Sequence, residues 1–211
     1  MTSVTSSPSS SSSSVFVGLL LAAGKGSRFD PSGADNKLLA PLSDTDDCVV
    51  VAAARKLLAA SPALAVVAIV NSLQGEVALR LSAMGCQVVE CSDAAEGMSA
   101  SLMCGIRHTK DAAGWIIALG DMPHVQTSTH GGLLAALKDD VDIAVPVYLG
   151  KRGNPVAFSR KHLDDLLQLS GDRGARALLK SSPVNEIPVN DPGIHRDIDT
   201  RADLAASGGT D

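Results

Sequence analysis

Residues 15–21, read VFVGLLL, are an unbroken apolar run with β-branched members, and such a run is at home only in a strand covered on both faces. Similar runs recur at 64–70, 87–90 and 115–119, and the stretches between them have helical spacing. Segment 50–60 is rich in Ala and Leu and stops before Ser61-Pro62, while Val77, Leu81 and Met84 repeat at intervals of four and three before Gly85. Met98, Leu102 and Ile106 share one helical face, and Leu133, Leu134 and Leu137 share another behind a cap at Thr127 or Ser128. Strand alternating with helix predicts an α/β fold, a three-layer Rossmann-like arrangement with a mostly parallel central sheet and right-handed crossovers.

The rhythm changes after 141–148. A polar turn at 150–154 leads to a short strand at 155–158, and Ser159 is placed to cap a helix carrying Leu163, Leu166 and Leu167. Gly171-Asp172-Arg173-Gly174 precedes a short helix to Lys180, an extended piece covers 184–189, a brief strand is expected at 194–198, and Thr200 caps a last turn. Residues 1–14 are nearly all Ser, Thr and Pro and cannot offset the entropy of ordering them, so a disordered tail is expected there, one domain over 15–206, and a flexible end at 207–211.

Composition narrows the function classes. With 18 Lys and Arg against 23 Asp and Glu the net charge is -5, so no general field draws the chain to nucleic acid or to an anionic membrane, and any phosphate site must be local. The first apolar run has no basic segment before it and is too short to span a bilayer, which suggests a cytoplasmic protein. Cys48, Cys86, Cys91 and Cys104 lack paired metal or redox spacing and read as reduced thiols; a Cys86–Cys91 disulfide is the alternative.

In such folds ligands lie outside the carboxyl ends of the strands. Leu21-Ala22-Ala23-Gly24-Lys25-Gly26-Ser27-Arg28 follows the first run directly, and its small residues admit close approach of a phosphate to backbone amides while Lys25, Arg28 and Lys37 supply charge. Walker A spacing is absent, and Phe29 stands where a dinucleotide fingerprint needs its third glycine. Asp121 follows the run 115–119 and is placed to hold a magnesium ion against phosphates. Asp197 and Asp199 come from the expected late strand, and one or the other is expected to join that site. No Ser, His and acid set suggests acyl transfer, and His108, His124, His130, His162 and His195 lack compact ligand spacing. Phosphoryl or nucleotidyl transfer needs no protein nucleophile, and this inventory suits it.

These motifs together resemble those of the molybdenum cofactor nucleotidyltransferases, and within them the cytidylyltransferase type. Leu21 to Gly24 with Ser27-Arg28 and then Lys37-Leu38-Leu39 is similar to the nucleotide-binding signature, Glu96-Gly97-Met98-Ser99 through Ser101-Leu102 and Gly105 to the motif bordering the nucleotide pocket, and Gly120-Asp121-Met122-Pro123 to the metal-binding aspartate motif. Arg152 to Val156 (with Asn154 and Pro155) and Gly171 to Arg176 (with Asp172, Arg173 and Gly174) resemble regions near the acceptor, and Asp197-Ile198-Asp199-Thr200 resembles the motif supplying a second metal contact. The resemblance implies a nucleotidyltransferase fold and transfer of CMP from CTP, with Mg2+, to the phosphate of molybdenum-loaded molybdopterin, with pyrophosphate released. It implies Arg28, Lys37 and Asp121 as catalytic residues, and a molybdoenzyme or its maturation chaperone as a protein partner. The chain departs from the pattern in the long stretch from Phe29 to Asn36 before Lys37, in Asn154 where a histidine is usual, and in the acidic segment 43–47. Other readings are a different phosphorylated acceptor such as a sugar phosphate, a nicotinamide-dependent reductase, and a non-catalytic cofactor chaperone.

Overall fold

The computed structural model describes residues 15–24, 26–43, 45–171 and 174–207. The Ser-rich tail, Lys25, Asp172, Arg173 and positions 208–211 of the expected C-terminal extension lie outside the described residues.

The first half follows the expected alternation: β1 (Phe16–Leu21), α1 (Val49–Leu58), β2 (Ala65–Val70), α2 (Glu76–Ala83), β3 (Gln87–Glu90), α3 (Met98–His108) and β4 (Gly114–Leu119). Beyond it come α4 (Thr127–Lys138), β5 (Ile143–Tyr148), β6 (Lys151–Arg152), β7 (Val156–Ser159), α5 (Leu163–Leu167), α6 (Arg176–Ser181), β8 (Asn185–Pro188) and α7 (Arg201–Ala206). The strands form one eight-stranded sheet in the order β3-β2-β1-β4-β7-β5-β6, with β8 on β5. The pairs β3/β2, β2/β1, β1/β4 and β5/β8 are parallel, whereas β7 runs antiparallel between β4 and β5, and β6 antiparallel to β5.

Alternation within β1 explains its continuous apolar run. Val17 and Leu19 join Ile69, Ile106, Trp115 and Phe158 on one face, and Leu20 joins Leu57, Leu81 and Leu133 on the other. Each buried Leu, Ile or Val contributes about 1.5–3 kcal/mol, so covering both faces is what stabilises so apolar a strand. The indole N–H of Trp115, on the first of these faces, donates to Thr109 Oγ1 at 2.9 Å, which satisfies its one donor.

Three local expectations are corrected. The N-cap of α4 is Gln126 rather than Thr127 or Ser128; the carboxylate serving that helix start is Asp191, which accepts from the Gln126 N–H at 2.8 Å and the Thr129 hydroxyl at 2.6 Å. Ser159 stands at an N-cap position, but its hydroxyl makes no capping bond, because a 3-10 turn over Arg160–His162 intervenes before α5. Segment 194–198 is no strand: Pro192–His195 is a 3-10 turn, and 196–199 is irregular. The cap at Thr200 holds, as a reciprocal capping box with Asp203. All four cysteines are free, and burial pushes the Cys86 thiol up to about 11.

His130, on α4, is 3% exposed, and its Nδ1–H donates to the Gln126 carbonyl at 3.1 Å. Burial, only partly opposed by that bond and by Asp191, holds its pKa at about 4. Because the folded value lies below the unfolded one of 6.5, the unfolded chain takes up a proton first as pH falls. His130 therefore costs no stability above pH 6.5 and should cost about 2 kcal/mol by pH 5. Denaturant titrations at pH 7 and pH 5 should show this loss in the wild type and a flatter response in His130→Gln; equal slopes would refute the assignment.

Candidate active site

A cleft of about 360 Å³ opens at the carboxyl ends of β1 and β4. The loop after β1 supplies Leu21, Ala22, Ala23, Gly24, Gly26, Ser27 and Arg28; Leu119 and Asp121 come from the end of β4, and Lys37 and Asp199 complete the charged side. The opposite wall is Ala94, Ala95, Gly97, Met98 and Ser101. Gly97 joins a 3-10 turn to α3 at φ 120°, a backbone state that L side chains rarely adopt, which lets the chain turn sharply and present the start of α3 to the cleft.

The charged side is a compact set of ion pairs. Lys37 Nζ lies 2.7 Å from Asp121 Oδ2 and 2.9 Å from Asp199 Oδ1, and Arg28 Nη1 lies 2.8 Å from Asp199 Oδ2. Burial acts to lower the Lys37 pKa, but the two carboxylates outweigh it and hold the ammonium above its ordinary value. For Asp199, burial acts upward and is outweighed by Lys37 and Arg28, so its carboxyl titrates below the usual range. The four charges cancel, and Lys37 itself marks a position where positive charge bridges two carboxylates.

Asp199 reaches this site because the segment before it is pinned at several points. Asp191, 1% exposed, accepts from the N–H groups of Gln126 and Gly193 and from the Thr129 hydroxyl, so this buried charge is satisfied by three donors. Gly193 packs so closely that a Cβ would lie 2.2 Å from the His124 carbonyl oxygen. Ile194 accepts from the Asn154 N–H at 3.0 Å, and the Ile198 N–H donates to the Asp121 carbonyl at 2.9 Å. That last bond lays the 196–199 segment across the end of β4, one residue from Asp199.

Not every residue singled out in the sequence reaches the cleft. Asp197 lines a smaller recess with His124, His195 and Asp203, and burial together with neighbouring Asp199 raises its pKa. Ser99 is buried with its N–H donating to the Gly171 carbonyl, and Ser101, two residues on, lines the cleft instead. Asn154 seats the 192–195 turn, Asn154 and Pro155 are both absent from the lining, and Gly174 packs beside the cleft residue Met98. Sequence reasoning missed Ala94, Ala95 and the anchor Asp191, whereas Ser101, within the motif that resembles the border of a nucleotide pocket, lines the cleft.

Two carboxylates facing the cleft are a donor set suited to magnesium or manganese, hard ions that leave most positions to phosphate and water. Among the described residues no cluster of three or more His, Cys, Asp or Glu forms a closed cage. No helix among them is long and apolar enough to cross a membrane.

Comparison with known proteins agrees with this geometry. A family model for the MobA-like NTP transferase domain matches residues 18–187. Purine catabolism protein PucB of Bacillus subtilis is 35% identical over 115 residues, 52% of this chain and 55% of that protein, so the match spans about half the length of that curated relative. Rv0371c from Mycobacterium tuberculosis is similar in structure, with a TM-score of 0.78 and 26% identity over 92% of this chain and 98% of that one. Its complex with manganese has a TM-score of 0.75 and 25% identity over 93% and 99% of the two chains. With the family model covering most of its length and the charged cleft at the expected strand ends, this chain belongs to the MobA-like NTP transferase domain family, enzymes of nucleotidyltransferase type.

Proposed function

We propose that this protein transfers CMP from CTP to the terminal phosphate of molybdenum-loaded molybdopterin, with pyrophosphate as the other product. The observation that carries the transferase reading is Lys37 held between Asp121 and Asp199, with Arg28 beside it, at the mouth of a small-residue loop. In the reaction an acceptor phosphate oxygen attacks the α-phosphorus, the bond to the bridging β-phosphate oxygen breaks, and pyrophosphate leaves. Arg28 offers a planar fork and Lys37 a point charge, and both suit the oxygens of the triphosphate. Each exchanges a carboxylate partner for phosphate as the nucleotide enters. Amides of Ala23, Gly24 and Gly26 donate to the same oxygens, with Lys25 a further source of charge.

Asp121 and Asp199 would hold Mg2+, which supplies charge neutralisation across the α-phosphate and the leaving group. The manganese complex of Rv0371c supports a divalent ion in this role. Ala22 and Ala23, both buried and both on the cleft wall, favour the pyrimidine donor, since a methyl at residue 23 removes space that a purine needs.

A second reading keeps the chemistry and changes the acceptor to a sugar phosphate or another phosphorylated small molecule. It is favoured by Asn154 and Pro155, neither of which lines the cleft, Asn154 being engaged with the 192–195 turn. One experiment addresses donor and acceptor together: pyrophosphate release with Mg2+ and each of CTP, GTP, ATP and UTP, using molybdenum-loaded molybdopterin as acceptor. CTP should exceed GTP in kcat/KM by on the order of tenfold or more. A preference for GTP would overturn the donor assignment, and binding of nucleotide without turnover would move the acceptor to the second reading.

A further inference from the structure

The loop that joins Arg28 to Lys37 is held to the start of α7 at three points. Arg28 pairs with Asp199, the Arg201 guanidinium lies 5.0 Å over the Phe29 ring, and Arg201 Nη2 pairs with the Asp35 carboxylate. Each side of this contact is ordered by its own bonds. Asp30 accepts from the N–H groups of Ser32 at 2.9 Å and Asp35 at 2.7 Å, which folds 30–35 into a compact turn. On the other side, Asp203 accepts from Asp199 N, Thr200 N and Thr200 Oγ1, so Asp199 and Arg201 are displayed from one rigid first turn. Phe29 is buried in the main apolar cluster, with Arg201 stacked on it from the solvent side and 62% exposed.

We propose that Arg201 is a positioning residue for the transferase reaction: it keeps the 29–36 loop docked on α7 while Arg28 and Lys37 trade their carboxylate partners for the triphosphate. The inference rests on the transferase reading above. When a nucleotide enters, Arg28 must release Asp199, and that tie between loop and α7 is lost. Phe29, Asp35 and Arg201 lie outside the cleft lining, so their contacts persist through the exchange. The residues that bind phosphate stand at both ends of this loop. Losing its anchor lets them sample a wider range of separations and weakens the site for the incoming charge.

The test compares wild type, Arg201→Ala and Arg201→Lys in calorimetric binding of Mg2+-CTP, in steady-state turnover, and in amide hydrogen exchange of residues 29–36 without ligand. Arg201→Ala should weaken CTP binding about fivefold and speed loop exchange by a similar factor, the size expected from one exposed cation–π contact and one exposed ion pair. Its kcat at saturating CTP should stay close to wild type, and its melting temperature should hardly move. Arg201→Lys, which keeps a cation over the ring and opposite Asp35, should recover most of the affinity. A merely structural role would instead lower the melting temperature and kcat and leave the Kd of the folded fraction unchanged. If the wild type binds CTP and Arg201→Ala binds it equally well, or the loop exchange is unaltered, the positioning role is overturned. If the wild type binds none of the four nucleoside triphosphates, the transferase reading falls and this role with it.

Discussion

Replacing Asp121 with Asn should lower pyrophosphate release by about 10²–10³-fold while the protein remains folded, a loss of the size seen when a charge-stabilising group is removed from a transfer reaction. The side chain of Asp121 meets the cleft and Lys37, but its contribution to the architecture is made by its backbone, whose carbonyl accepts from the Ile198 N–H at 2.9 Å. An amide side chain leaves that bond intact. It removes the negative charge beside Lys37, and with it one of the two carboxylates that would hold a divalent ion on the proposed reading, and leaves Asp199 as the single carboxylate partner of Lys37. Turnover measured alongside the melting temperature separates chemistry from folding. Near-normal turnover in a well-folded Asp121→Asn protein would remove Asp121 from the site.

Gly193→Ala should be the most damaging single methyl in the C-terminal half. Its Cβ would lie 2.2 Å from the His124 carbonyl oxygen and 2.4 Å from the carbonyl carbon, and both are backbone atoms that cannot swing aside. Relief requires the 191–195 turn to move away from the strand-end loop. That movement strains the bonds from Gly193 and Gln126 to buried Asp191. An overpacking cost of about 3 kcal/mol is expected, which for a chain of this size lowers the melting temperature by roughly 6–12 °C. Activity should fall further than stability, because the same turn leads into the segment that carries Asp199. A variant that melts within about 2 °C of wild type and turns over normally would show that the turn is more pliable than its packing indicates.

The parallel half of this fold is legible in the sequence because each strand there is covered on both faces, so β1, β2 and β4 are nearly pure apolar runs that admit one reading. Asp121 and Lys37 are legible for a related reason: chemistry in such folds gathers where strands end, and there are few strand ends to search. The direction of β7 is not readable, since a four-residue apolar strand looks the same whichever way it runs between β4 and β5. Ile194 and Ile198 suggest a strand because both are apolar and buried. Yet each fills a separate contact, and the backbone between them is bent by the 3-10 turn that Asp191 and Pro192 begin. The start of α4 is misread for a similar reason, as its capping carboxylate comes from 65 positions along the chain. Local capping rules cannot see so distant a partner. Alternation is equally silent on how Asp197 and Asp199 divide: Asp199 pairs with Lys37 and Arg28 at the cleft, while Asp197 lines the neighbouring recess with its carboxyl against that of Asp199.

The ion pair between Lys37 and Asp199 joins positions 162 residues apart, and this separation orders events in time. During synthesis the loop after β1 leaves the ribosome early, while the carboxylate that completes its charge balance is made last of all the site residues. Until the C-terminal segment docks, Lys37 and Arg28 lack one shared partner, and an emerging chain carries an electropositive loop able to attract phosphate but missing half of the acidic pair. On the proposed reading the complete site therefore awaits docking of the segment that carries Asp199 onto the end of β4.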